Sequence, residues 1–243
     1  MRTLVQALLR PLGLRLTRLE GAERQDYGAS VLFATLKRFG FLPRHILDVG
    51  ANHGNWTRAA LRYFPAARYT LLEPQDHLKV HIQDLLEAGY NLDWLNVGAS
   101  DQSGRLPFHI SHRDDSSTFI SPGDSSPLRS TIVEVKSLDD LLASHHLPIP
   151  DLVKIDAEGF DLKVLRGAQS LFGKTEVILL EASVSCPYEN SVAKAVDLMN
   201  GHGYRLFDIT ELNRSPKHGV LWLTELAFLR NASPLFASAT SYE

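Results

Sequence analysis

The chain has 243 residues, of which 44% are apolar, and this size fits one large α/β domain rather than two domains. A net charge of -3 and the lack of a basic stripe interleaved with aromatics exclude an ordinary nucleic-acid binder. Cys186 is the single cysteine, which excludes a disulfide framework and a cysteine zinc site. No apolar run approaches the ~20 residues that a membrane-spanning helix needs. We therefore expect a soluble, cytoplasmic protein.

Residues 1–24 are predicted to form a basic, amphipathic N-terminal arm that precedes one main domain at 25–243. Four arginines alternate with leucines in this arm, and Pro11 interrupts any signal-peptide core. We favour an arm that packs on its own domain or on a second subunit. The alternative is a helix that lies on anionic lipid or against a partner.

The next part of the chain alternates between helical and strand-like spacing up to about residue 97. This order indicates a helix followed by a βαβαβ unit. The predicted elements are a helix at Tyr27–Phe39, the strand HILDVG, a helix at Asn55–Tyr63, the strand RYTLLE, a helix at Gln75–Ala88 and the strand LDWLNV.

The second half begins with a change of period and then returns to alternation. RLPFHI and TIVEVK are predicted to pair around the loop Ser111–Ser130, which is long enough to be functional. The strands DLVKID and EVILLEA follow, with helices at about 159–172 and 190–200, and YRLFDI and LWLTELAFL close the chain as a hairpin. The whole pattern predicts a mostly parallel, doubly wound α/β sheet with a C-terminal antiparallel hairpin.

The stretch ILDVGANHG places an acid and two glycines directly behind the first strand, where such sheets bind ligands. Gly50 and Gly54 permit a tight turn and a close backbone approach, but their spacing departs from the dinucleotide pattern. Asp48 disfavours a pyrophosphate and favours a cationic head group. Glu73, at the tip of the second strand, is placed to bind both ribose hydroxyls. A nucleoside that bears positive charge is predicted, and S-adenosylmethionine fits that description.

Five segments resemble the FkbM family of S-adenosylmethionine-dependent methyltransferases. They are DVGANHGNWT, LLEP, NVGASDQSG, the predicted turn SLDDLL and, most specifically, DLVKIDAEGFDLKVLRGA. The resemblance covers about residues 30–182. It implies a Rossmann-like, seven-stranded methyltransferase fold over 25–243. It also implies O-methylation of a hydroxyl on a sugar, a glycan or a natural product such as a macrolide.

The resemblance assigns cofactor contacts position by position. The methionine part of the cofactor is expected beside the first loop and Asp156, the ribose at Glu73, and the adenine at the turn from Asn96 to Asp101. The predicted cofactor-binding residues are Asp48, Gly50, Asn52, Gly54, Asn55, Glu73, Asn96, Ala99, Asp101 and Asp156.

Catalysis is predicted in KIDAEG, at the end of the fourth strand of the sheet. Methyl transfer to an oxygen needs a base for the hydroxyl proton, and Asp156 or Glu158 is placed to supply it. The alternative for Glu158 is a cap on the following helix. His53 is a further catalytic candidate, and His112 is another histidine that could reach the acceptor.

Glu181 adds a third carboxylate at the end of the next strand. Three acids could hold magnesium, but hydrogen bonds to sugar hydroxyls explain them equally well, and no metal is assigned.

The preferred function is methylation of a hydroxyl on a sugar, a glycan or a glycosylated natural product. A macrolide or polyketide hydroxyl is the alternative acceptor, and no nucleic acid is expected. Two rival classes share the fold, namely a nicotinamide-dependent oxidoreductase and a catalytically silent interaction protein. Specificity is expected in the loops Ser111–Ser130 and Asn213–Gly219.

Overall fold

The computed structural model describes residues 27–111, 117–121, 129–186 and 188–239. The predicted arm, His112 and most of the loop between residues 111 and 130 lie outside these residues. The described chain forms a seven-stranded main sheet of order β3-β2-β1-β7-β8-β10-β9 and a separate three-stranded sheet of order β4-β6-β5. The ten strands are β1 His45–Val49, β2 Arg68–Leu72, β3 Leu92–Leu95, β4 Gly98–Ala99, β5 Gly104–Ile110, β6 Arg129–Lys136, β7 Leu152–Ile155, β8 Val177–Ser183, β9 Tyr204–Arg214 and β10 Leu221–Arg230.

The predicted sheet type is confirmed. Strands β3, β2, β1, β7 and β8 run parallel, and β10 is antiparallel to both β8 and β9. The last two strands form the predicted hairpin. The pairing of RLPFHI with TIVEVK is also confirmed, since β5 and β6 are antiparallel. The sequence did not show that these two strands leave the main sheet.

Six α-helices lie in the described residues: α1 Tyr27–Arg38, α2 Asn55–Tyr63, α3 Gln83–Glu87, α4 Leu138–Ser144, α5 Asp161–Arg166 and α6 Val192–Gly201. The predicted helix at Gln75–Ala88 is mostly a 3-10 helix, Asp76–Ile82, ahead of the short α3; Gln75 precedes it in an extended conformation without a side-chain cap. SLDDLL was predicted as a turn but forms α4, because the Ser137 hydroxyl accepts from the Asp140 amide and caps a helix.

The predicted helix at 159–172 is shorter than expected. Gly159 has φ 91, so regular helix begins only at Asp161, and a 3-10 helix, Gln169–Leu171, follows α5.

Alternate residues of each central strand pack on opposite faces of the sheet. One face carries Leu47 and Val153 and packs against α4, α5 and α6. The other face carries Ile46 and Leu152 and packs against α1 and α2. The main sheet is therefore the middle of three layers.

The chain order reverses at β1. Strand β2 lies on one side of β1 and β7 lies on the other, so the loops after these strands meet at one edge. This crevice is where open α/β sheets bind ligands.

Candidate active site

The β1–α2 loop and the β7–α5 loop touch at Gly50. Gly50 has φ 75, and a Cβ atom there would lie 1.9 Å from the Asp156 carbonyl oxygen. The amides of Gly50 and Ala51 both donate to the Leu72 carbonyl at 3.0 Å. A glycine is required here because the left-handed backbone and the close approach both exclude a side chain.

A cleft of about 620 Å³, counting its open mouth, lies beside this contact, and we call it the cofactor cleft. Its lining consists of Val49, Gly50, Asn52, Leu72, Glu73, Pro74, Gln75, Val97, Gly98, Ala99, Phe108, Ser117, Phe119, Asp156, Ala157 and Glu158.

Glu73 is buried in the wall of the cofactor cleft. Its Oε2 accepts from the Asn52 amide at 3.0 Å, and its Oε1 accepts from the Gln75 amide at 2.9 Å. Burial raises the pKa of Glu73, although these amide hydrogen bonds act in the opposite direction. Oε1 also accepts from Gln75 Nε2 at 3.4 Å, so Glu73 is fixed in position and its Oε2 can accept one further hydrogen bond.

The far end of the cofactor cleft is apolar, and the sequence prediction missed its aromatic part. The ring centroids of Phe108 and Phe119 lie 4.8 Å apart. The segment of Phe119 is fixed over the cleft because His109 and Thr118 exchange two backbone hydrogen bonds, and the Thr118 hydroxyl donates to the Glu158 carbonyl at 2.8 Å. Gly98 is needed below, because a Cβ there would lie 2.5 Å from the Phe119 ring. A flat purine matches such a wall.

Lys154 is a buried cation that the sequence analysis did not assign. Its Nζ donates to the Gly50 carbonyl at 3.0 Å and lies 3.2 Å from Asp156 Oδ2 and 3.5 Å from Asp48 Oδ1. Burial opposes the charge, but the carboxylates of Asp156, Asp48 and Glu225 outweigh it and hold the pKa of Lys154 above its usual value. Lys154 thus hydrogen-bonds the Gly50 carbonyl and forms ion pairs with Asp156 and Asp48, while Asp48 Oδ1 has no hydrogen-bond partner of its own among the described residues.

Asp48 lies beneath the β1–α2 loop and is not exposed at the surface of that loop. Its side chain is fully buried, and its Oδ2 accepts from the Thr57 hydroxyl at 2.5 Å. The prediction that Asp48 faces a cationic head group did not anticipate Lys154 beside it. In-register pairing of Asp48 with Lys154 on neighbouring strands explains the contact, and this pairing is not visible from sequence spacing.

Asp161, not Glu158, satisfies the amides before α5. Its carboxylate accepts from the amides of Ala157 and Gly159, both at 3.0 Å, and from Asn190 Nδ2 at 2.8 Å. Burial is the main cause that raises the pKa of Asp161 to about 7. The N-cap residue of α5, Phe160, makes no side-chain cap hydrogen bond, and the cap alternative for Glu158 stays a prediction. Glu158 lines the cofactor cleft in a left-handed conformation with φ 49.

Glu181 lies one strand further along the same edge. Ile155 pairs with Leu180, so Asp156 and Glu181 follow at equivalent positions on β7 and β8. Burial, followed by the charges of Asp156 and Asp161, raises the pKa of Glu181. Among the described residues, no group of three His, Cys, Asp or Glu side chains has a geometry that could hold a metal ion.

A second and larger cavity, about 1690 Å³ counting its open mouth, lies between α1, the start of α2 and the C-terminal hairpin. We call it the hairpin cavity. It shares three lining residues with the cofactor cleft, namely Gly50, Asn52 and Asp156. Its other lining residues are Gly28, Ala29, Ala51, His53, Asn55, Trp56, Ala59, Lys154, Ile209, Thr210, Glu211, Leu212 and Glu225.

The structure brings five of the predicted cofactor residues together in the cofactor cleft: Gly50, Asn52, Glu73, Ala99 and Asp156. Asn96 lies behind it, where its Nδ2 donates to the Glu73 carbonyl at 3.0 Å. Asp101 is exposed outside the lining and accepts from the Ser100 hydroxyl.

Gly54 and Asn55 also lie away from the cofactor cleft. A Cβ at Gly54 would lie 2.5 Å from Ile82, so this glycine allows close packing, and Asn55 lines the hairpin cavity. The three catalytic candidates are divided: Glu158 lines the cofactor cleft, His53 lines the hairpin cavity, and Asp156 lines both.

The model of the methyltransferase FkbM domain matches residues 48–206, which include the end of β1, the whole cofactor cleft and β8. The chain belongs to the FkbM methyltransferase family. The matched region is a methyltransferase domain. The family match ends before Ile209, so the hairpin wall of the larger cavity lies outside it.

A curated relative of this FkbM methyltransferase is the 2-O-methyltransferase NoeI of Sinorhizobium fredii (strain NBRC 101917 / NGR234). The two are 26% identical over 161 residues, which cover 60% of this chain and 66% of the relative. The matched region thus spans slightly less than two thirds of the relative.

Two solved structures share the fold. A putative O-methyltransferase from Klebsiella pneumoniae aligns with a TM-score of 0.51 and 16% identity, over 95% of this chain and 89% of the other. Cofactor-bound Rv0187 from MTB aligns with a TM-score of 0.51 and 18% identity, over 95% and 90%. In the part of the chain that the structure describes, no helix combines the length and apolar character needed to cross a membrane.

Proposed function

We propose that this FkbM methyltransferase transfers a methyl group to a hydroxyl of a sugar, a glycan or a glycosylated natural product. The observation that carries the proposal is the position of Asp156, whose side chain lies in the wall shared by the cofactor cleft and the hairpin cavity. The 26% identical relative named a 2-O-methyltransferase supports oxygen as the acceptor atom.

The residues of the cofactor cleft fit S-adenosylmethionine. Glu73 is fixed by the amides of Asn52 and Gln75, and its Oε2 retains the capacity to accept a ribose hydroxyl. Phe108 and Phe119 form an apolar wall for the adenine. Asp156 lies at the other end, and its charge is partly balanced by Lys154, which also pairs with the buried Asp48 beneath the loop. Bound there, the cofactor supplies an electrophilic methyl group on a positively charged sulfur.

Asp156 is the proposed proton acceptor. Its side chain is 35% exposed at the junction, and Lys154 fixes one of its oxygens at 3.2 Å. The other oxygen could accept the proton of a hydroxyl that enters from the hairpin cavity. His53, which lines that cavity, is the second candidate for this role.

Membership of the FkbM methyltransferase family excludes the alternative of a nicotinamide-dependent oxidoreductase. A macrolide or polyketide hydroxyl would use the same chemistry, and the experiment below separates the two acceptor classes. An association of the N-terminal arm with a membrane or a second subunit stays a prediction about residues outside those described.

The test is transfer of a labelled methyl group from S-adenosylmethionine to two acceptor panels, one of methyl glycosides and oligosaccharides and one of macrolide aglycones. We expect O-methylated products, identified by mass, from the glycoside panel. Products from the aglycones alone would overturn the sugar assignment. Products from neither panel, with intact binding of S-adenosylhomocysteine, would favour a catalytically silent protein.

A further inference from the structure

The hairpin cavity is built by a bulge in β9. Glu225 pairs with Glu211 and Leu226 pairs with Ile209, so Thr210 is the extra residue of β9. A bulge of this kind reorients the side chains around it. Here the Thr210 hydroxyl donates to Glu225, and both residues line the cavity. The start of α1 packs against the same place, since a Cβ at Gly28 would lie 1.0 Å from the Thr210 carbonyl oxygen.

Glu211 and Glu225 are the two ionisable residues that β9 and β10 contribute to this wall. Burial raises the pKa of Glu225 to about 7, against the effects of Thr210 and Lys154, and burial also raises the pKa of Glu211. Near neutral pH, the carboxyl group of Glu225 is therefore available to accept a hydrogen bond and, when protonated, to donate one, and Glu211 adds a second acceptor. A hydroxyl needs both kinds of partner.

The rest of the wall is flat and apolar in part. Trp56 lines the cavity and packs edge-on against Phe33, with ring centroids 5.2 Å apart. Its indole N–H is buried and has no hydrogen-bond partner among the described residues. Ile209 and Leu212, 49% and 59% exposed, are available to the apolar face of a ring. Aromatic surface next to polar groups suits a ring that carries hydroxyls.

The charges around the cavity favour a neutral guest. Asp48 and Asp156 together carry one more charge than Lys154 balances, and this single negative charge matches the positive sulfur of the cofactor. Glu225 loses part of its charge near neutral pH because burial raises its pKa to about 7. An anionic guest would be repelled by these acids, and a cationic guest would find little charge left to pair with.

We propose that the hairpin cavity is the acceptor site, and that Glu211, Glu225 and Trp56 select a neutral, hydroxyl-rich ring over charged sugars. This inference rests on the proposed function and adds a location, a charge class and the residues that determine specificity. It places the two selecting glutamates on β9 and β10, beyond the region that the family match covers.

The test measures binding separately from methyl transfer. The full chain, saturated with sinefungin, an analogue that carries a cationic amine in place of the sulfonium and transfers no methyl group, is titrated by saturation-transfer NMR with methyl β-D-glucopyranoside, glucuronate and glucosamine. We expect saturable binding of the neutral glycoside, with glucuronate and glucosamine weaker by about tenfold, as expected for the loss of one to two hydrogen bonds.

Three variants assign the site. Glu211→Ala and Glu225→Ala should each weaken binding of the neutral glycoside by about tenfold. Trp56→Phe should retain part of the binding because it keeps a ring but loses the N–H. Glu134→Ala, which removes an exposed carboxylate on β6, is the matched control and should bind like the parent chain. Melting temperatures identify any variant that fails to fold, in which case the other glutamate variant decides.

The failures of the two proposals are distinguishable. Methyl transfer to glycosides that is unaffected by both glutamate variants would overturn this site and leave the proposed function intact. Binding that depends on the glutamates, without transfer to any glycoside, would support the site and contradict the proposed function. The proposal is also overturned if glucosamine or glucuronate binds more tightly than the neutral glycoside, or if no probe shows saturable binding.

Discussion

The cofactor cleft and the hairpin cavity meet at Asp156 but are built in different ways. Most of the cofactor cleft comes from segments that directly follow β1, β2 and β7, so its residues stand in short motifs. The hairpin cavity combines Gly28, Lys154 and Glu225, which are far apart in the chain. Local motifs can therefore mark a cofactor site, whereas an acceptor site of this kind is assembled by topology.

Asp156→Asn tests the junction of the two regions and should give the largest effect. At saturating cofactor, loss of a general base is expected to lower the rate of methyl transfer by ~10² to 10⁴, with a much smaller change in affinity for S-adenosylhomocysteine. Glu158→Gln is the comparison, because Glu158 lines only the cofactor cleft. Rates across pH check the role, and a full-speed Asp156→Asn enzyme would leave His53 as the candidate.

Lys154→Met tests whether the buried Lys154 cation stabilises the place where the cofactor cleft and the hairpin cavity meet. It would leave Asp48 and Asp156 without their shared partner, and such a loss costs ~3 to 5 kcal/mol of unfolding free energy. Chemical denaturation measures this value. Lys79→Met is the control, since Lys79 is exposed. Equal stabilities of the two variants would show that the ion network contributes little.

Glu73→Ala should affect the cofactor cleft alone. Each charge-assisted hydrogen bond lost is worth ~1.5 to 3 kcal/mol, so the affinity for S-adenosylhomocysteine should fall at least tenfold by calorimetry. Binding of a glycoside in the hairpin cavity should change little. An unchanged cofactor affinity would refute the ribose assignment, and Glu134→Ala again serves as the control.

Glu225→Gln should give the smallest effect, a change in how stability depends on pH. Burial raises the folded-state pKa of Glu225 to about 7, above its ordinary value of 4.5. The contribution of this group to the free energy of unfolding is therefore largest below pH ~4.5, where Glu225 is protonated in both states, and it is lost as the pH rises to about 7. The variant lacks this titration, so its melting temperature should gain on the parent between pH 5 and pH 8. A constant difference across that range would contradict the burial argument.

Much of the fold could be predicted because the apolar periodicity was clear. The strand HILDVG, the helix Asn55–Tyr63 and the final hairpin follow from spacing alone, and the structure has all three. Helix lengths were less accurate. Backbone geometry at Gly159 and capping by Ser137 decided where α5 and α4 begin, and hydrophobic spacing does not report either feature.

The sequence by itself determined the family, the cofactor loop and the acids at the strand ends, because these depend on residues that are adjacent in the chain. Only the tertiary structure decided that Lys154 lies between Asp48 and Asp156, that Phe119 closes the cofactor cleft, and that Glu211 and Glu225 face a cavity next to it. The physical reason is strand register. Residues from separate strands meet only when pairing brings them to the same edge of the sheet, and no local pattern encodes that pairing.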